Sequence, residues 1–172
     1  MAFEDISLNS RIENKISWAA DCFERYKEVL FADKMTVELL VRLKKAIDDS
    51  RREMKSIGLV EECRLCEEKE GGACCGAGIE NRYSGTLLLI NLMMEVILPE
   101  FPYENGSCYF LTEKGCSLKA RHVICVNYIC GKITDKINPE KLAGLREKEG
   151  RELELLFLLN ERIKKVLKDA CR

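Results

Sequence analysis

Apolar positions recur at three- and four-residue steps through the first sixty residues, the period of one buried helical face. Ile12, Ile16, Ala19, Ala20, Phe23, Tyr26 and Leu30 form one stripe and predict a helix over about 10–31. Ser10 and Glu13 have the form of a capping box at its start. Trp18 lies off the stripe and would meet another element, and Cys22 reads as a small buried hydrophobe. Leu39, Leu40, Leu43, Ile47 and Met54 mark a second helix over about 36–57, capped by Thr36 and stopped by Gly58. The short FADKM link makes the two an antiparallel pair.

Further along, Leu87–Leu98 is apolar almost all round and reads as a core helix, capped by Ser84 and ended by Pro99. CYFL–TEKG–CSLK reads as a tight hairpin that brings Cys108 and Cys116 together at its base. Asn138-Pro139 opens a last helix, with Pro at the first helical position, and Leu142, Leu153, Leu156, Ile163 and Leu167 carry it to residue 170. Unbroken, it would span about 48 Å, and Gly144 or Gly150 offers a place to break. The fold class expected is mainly α: a helical bundle of long N- and C-terminal helices holding a cysteine-rich metal-binding module with one short β-hairpin. One domain is expected, divided into a helical pair over 1–60, the cysteine module over 61–133 and the C-terminal helix over 134–172.

Composition narrows the partners. A net charge of −1 gives no field to gather nucleic acid or an anionic membrane, and no basic stripe stands out. The acidic N-terminus is not a secretory signal, and the longest apolar run falls short of the roughly 20 residues that span a bilayer. The expectation is a cytoplasmic chain with a protein partner, no nucleic acid and no membrane. In a reducing compartment, clustered cysteines serve as ligands or redox groups rather than as disulfides.

Eight of the ten cysteines fall between Cys63 and Cys130. Cys63 and Cys66 have the CxxC spacing of a metal knuckle, Cys74 and Cys75 are vicinal, and Cys108, Cys116, Cys125 and Cys130 stand singly. All eight are read as metal ligands. Gly71, Gly72, Gly76 and Gly78 surround the vicinal pair and would let backbone N–H groups approach sulfur. Adjacent residues of an extended chain point to opposite faces, so Cys74 and Cys75 suit two centres better than one zinc. That prefers an iron–sulfur cluster over zinc as the cofactor. His122 reads as an ordinary polar residue, and Tyr83, Tyr109, Phe110 and Tyr128 as packing around the site.

CRLC, the downstream CC, CYFLTEKGCSLKARHVIC and a final Cys130 resemble the CxxCxxCC cysteine-cluster proteins, the YkgJ-type zinc- or iron-chelating proteins. Flagellin lysine methylases carry a similar pattern. Cys108, Phe110, Leu111, Gly115, Cys116, Ser117, Arg121, Cys125 and Cys130 occupy positions of the family's run, and the likeness covers about 63–130. Leu118 and His122 stand where the family carries an aromatic and a proline. The function expected is an iron–sulfur redox or accessory protein. The alternatives are a structural zinc-binding module mediating protein–protein interaction and a methyltransferase-like enzyme, the latter implied by the flagellin relatives alone.

Overall fold

The computed structural model describes residues 4–70 and 74–171, leaving the side chains of 66–70 and 132 outside the description. The helices are α1 (Ile12–Ala32), α2 (Lys34–Ser56), α3 (Leu59–Glu70), α4 (Gly85–Met93), α5 (Val123–Asn127), α6 (Gly131–Thr134) and α7 (Pro139–Ala170). A 3-10 turn, Ile79–Arg82, precedes α4, and β1 (Leu111–Thr112) pairs antiparallel with β2 (Gly115–Cys116). The fold is therefore mainly α-helical, with long helices flanking a short hairpin.

Asp33 closes α1 and opens α2, so a single residue joins them. Its carboxylate accepts from the Thr36 N–H at 2.8 Å and the Thr36 hydroxyl at 2.7 Å, capping the helix before Thr36, not at it. Arg162 of α7 donates to the same carboxylate, with Nε at 2.9 Å, and holds it well below the usual range of an aspartate. The capping box expected at Ser10 does not form. The N-cap is Arg11, and the Ser10 N–H closes a turn on the Ser7 carbonyl instead. Gly58 stops α2 with φ +81°, the left-handed conformation that glycine adopts without strain.

α2 packs most extensively along α7, and α1 along α4; α4 also touches α7, which closes the bundle. Ala19, Leu30, Leu43, Leu88, Leu159 and Ile163 are all sealed in the main apolar cluster. α4 is the core helix that its composition predicts, with Gly85–Asn91 and Met93 buried. It ends at Met93, well short of Pro99. Glu95 takes φ +63° while its N–H bonds to Leu92 O at 2.9 Å and the Val96 N–H to Asn91 O at 3.0 Å. These two bonds are a Schellman stop with glutamate in the glycine position.

α7 runs unbroken through Gly144 and Gly150, about 48 Å in all. Each glycine costs about 1 kcal/mol of helix propensity, which the packing of α7 on α2 outweighs. Leu59, Ile133, Ile137 and Leu145 form a second, separate apolar cluster with Cys130 at its edge. Among the described residues, no helix is long and apolar enough to cross a membrane.

Candidate functional site

The CxxC pair sits on a helix, not on a knuckle. Glu61, Glu62, Arg64, Leu65 and Lys69 favour helix, and α3 carries the segment with the Cys63 thiol exposed; the side chain of Cys66 lies outside the described residues. Gly71 and Gly72 also lie outside them. Cys74 and Cys75 are exposed in a turn anchored by the Gly76–Ser107 bridge and by the Cys108 N–H donating to Cys75 O at 2.8 Å. Cys108 is buried in the main cluster, Cys116 and Cys125 pack at its margin, and Cys130 belongs to the other cluster. The hairpin register sets Cys116 opposite Leu111, so Cys108 lies before the paired residues.

This distribution overturns the metal centre. Sulfurs on one tetrahedral zinc lie about 3.8 Å apart, given metal–sulfur bonds of about 2.3 Å. Among the described residues, no three His, Cys, Asp or Glu side chains gather closely enough to hold an ion. The iron–sulfur or zinc cofactor expected from the spacing therefore has no ligand group there, and the iron–sulfur redox or accessory role falls with it. So does the structural zinc module. The methyltransferase-like alternative came only with the same cysteine pattern and loses its footing too. The physical reason is burial: cysteine behaves as a small hydrophobe, and two apolar clusters and an exposed turn have drawn these sulfurs apart.

What the fold does assemble is a thiol-lined recess. Cys74, Cys75 and Cys125 line an open cavity of about 430 Å³ with Ile79, Ile124 and Tyr128. The nine described cysteines other than Cys66 are all thiols. α5 brings Cys125 to the recess. His122 caps that helix, with Nδ1 accepting from the Ile124 N–H at 3.3 Å. Burial and the nearby Arg82 charge lower the His122 pKa, favouring the neutral ring that a capping acceptor needs.

Tyr83 is the positioning residue that sequence reasoning treated as packing. Its ring is buried 5.2 Å from that of Phe110, while its hydroxyl accepts from the His122 N–H at 3.1 Å and donates to Cys125 Sγ at 3.7 Å. Burial raises its pKa, so the group stays a phenol donor. No pattern in the sequence marks it, because Tyr83 and Cys125 are 42 positions apart.

Behind the recess, the Cys108 thiol is pushed up to about 11 by burial, against a backbone hydrogen bond from Phe110. The Cys116 thiol is raised by burial too, offset by the Leu118 N–H and by the Arg121 and Arg51 charges. Backbone amides thus do reach sulfur, as the glycine-rich setting led one to expect, but at CxF and CxL steps rather than in a glycine nest. No family model matches the chain, and no curated protein or solved structure matches it.

Proposed function

We propose that the chain is a thiol–disulfide exchange protein working through the recess of Cys74, Cys75 and Cys125. One observation carries this reading: three thiols from segments some fifty residues apart line one open cavity with apolar walls. Exchange needs a thiolate with access to a disulfide and a second thiol within reach, and three cysteines on the wall of one open recess support both requirements. One recess thiolate attacks a sulfur of an incoming disulfide, forming a mixed disulfide and expelling one partner thiolate. A second recess thiol loses its proton and attacks the mixed disulfide, closing an intramolecular bond and releasing the other partner thiol. Two electrons and two protons pass to the substrate, and the protein ends oxidised.

Tyr83 supports Cys125 in this scheme by donating to its sulfur, where negative charge develops. The reading places the chain in the reducing cytoplasm, where such thiols stay ready, with a protein as its partner. The resemblance to the CxxCxxCC proteins enters as a pattern of cysteines only.

Oxidised glutathione at graded ratios, followed by peptide mapping, tests the reading. The expected product is a disulfide joining Cys125 to Cys74 or Cys75, lost in Cys125→Ser and formed several-fold more slowly in Tyr83→Phe. Glutathione spread evenly over exposed cysteines, Cys63 included, with no internal link, would overturn it.

A further inference from the structure

The recess does not stand alone. Ile124 lines it and also a second cavity of about 630 Å³, formed with Asn9, Asn81, Arg82 and His122. Leu8, Arg82 and His122 continue from there into a third, of about 510 Å³, walled by Val123, Leu156 and Phe157. The three share walls in sequence, so they form one trough along the α5 ridge, with thiols at one end and apolar side chains at the other. The apolar end is built from groups that face solvent: Leu8 is 59% exposed and Phe157 65%. Between the two ends the character changes to polar and cationic. Arg82 is exposed beside His122, and among the described residues no ion pair joins it to a carboxylate. Lys164, at the far end, is already answered by Glu161 at 3.1 Å.

We infer that this trough seats an extended segment of a partner protein: a cysteine at the recess, a carboxylate over Arg82 and an apolar side chain against Leu8 and Phe157. This rests on the exchange reading and names its substrate class. Two features select that occupant. The thiol end recognises sulfur, and the trough is continuous with it, so whatever binds along the α5 ridge presents its next residues to Cys125. The unanswered Arg82 charge complements an acidic side chain between the two anchors. A compact small-molecule disulfide would use the recess and leave the trough empty. An extended chain gains main-chain and apolar contacts along its length.

The test uses two peptides, Cys-Gly-Glu-Gly-Leu and its reverse, each with the cysteine disulfide-bonded to 2-nitro-5-thiobenzoate, and follows the release of that thiolate by absorbance. Attack by the recess thiolate on the peptide sulfur joins peptide to protein and expels the coloured thiolate. Symmetrical 5,5′-dithiobis(2-nitrobenzoate), which cannot fill the trough, is the control. At least one peptide should react tenfold or more faster than its Glu→Lys and Leu→Gly versions. Phe157→Glu, a surface change at the far end of the trough, should erase that advantage and leave the control reaction unchanged, and Arg82→Gln should bring the glutamate peptides down towards their lysine versions. Equal rates for all peptides, or no effect of either variant, would overturn the inference while leaving selective reaction at the recess intact. If the control reagent shows no preference for Cys74, Cys75 and Cys125, the exchange reading itself fails, and this inference with it.

Discussion

Replacing Asn91 by leucine would test how the ridge that bears Cys125 is held in place. Asn91 is fully buried in α4. Its Oδ1 accepts from the Lys119 N–H at 2.9 Å and the Ala120 N–H at 3.0 Å, and its Nδ2 donates to Ala120 O at 2.9 Å and Leu87 O at 3.0 Å. One amide therefore fastens the strand exit at 119–120, two residues before the α5 cap, to the core helix. Leucine is close in shape but leaves three main-chain groups of that segment without a partner. Taking about 2 kcal/mol, the middle of the usual range for an orphaned group, for each of the two Ala120 groups and about 1 kcal/mol for the part-buried Lys119 N–H, the loss is about 4–6 kcal/mol. Burying leucine in place of a polar group returns about 2 kcal/mol. The net destabilisation is about 2–4 kcal/mol, which lowers a urea midpoint by about 1–2 M for a slope of about 2 kcal/mol per M. Equilibrium unfolding followed by circular dichroism reads it directly. A midpoint within about 0.25 M of wild type, or about 0.5 kcal/mol at that slope, would refute the reasoning and show that water or local relaxation satisfies the freed groups.

Two further predictions concern charge and backbone. Glu149 and Glu152 are buried on α7 with their pKa values raised, first by desolvation, despite Arg146 beside one and Ser50 beside the other. The folded state thus binds protons more tightly than the unfolded one, so stability is highest below the unfolded value of 4.5 and falls as pH rises through the raised folded values. Urea midpoints between pH 4 and 8 should decline from these groups, and Glu152→Gln should flatten part of that decline; parallel curves would count against it. Glu95→Gly should stabilise the protein by about 1 kcal/mol, since glycine takes the φ +63° of the α4 stop without strain. A lower melting temperature would mean that the glutamate side chain holds that turn.

The parts legible in the sequence are those where one residue type has one backbone use. Gly58, Ser84 and Asn138-Pro139 each sit at the boundary that their chemistry predicts, with Ser84 Oγ accepting from the Leu87 N–H and Asn138 from Glu140 and Lys141. The α4 stop was hidden because a glutamate occupies the left-handed position. Ser10 misled because a turn with Ser7 claims its N–H first. At the candidate site, cysteine spacing along the chain says nothing about which apolar cluster will absorb each sulfur. Cys130 went with Leu59 and Ile133, Cys108 with Phe110, and among the described cysteines Cys74, Cys75 and Cys125 line one recess. The surface spacing of CRLC was also outweighed by the helix preference of the charged residues around it.

Lys15 is wholly buried, and its ammonium donates to the carbonyls of Leu8 and Asn81, each at 2.8 Å. A few residues earlier, Asp5 accepts from the Thr86 hydroxyl at 2.6 Å, at the first turn of α4. The stretch ahead of α1 is therefore riveted at two points and is no dispensable tail. Trimming the chain back to residue 11 would strip Leu8 and Asn9 from the trough, strand a cation in the interior with half its acceptors gone, and uncover Thr86. Anyone shortening this protein for expression would be removing one wall of the groove.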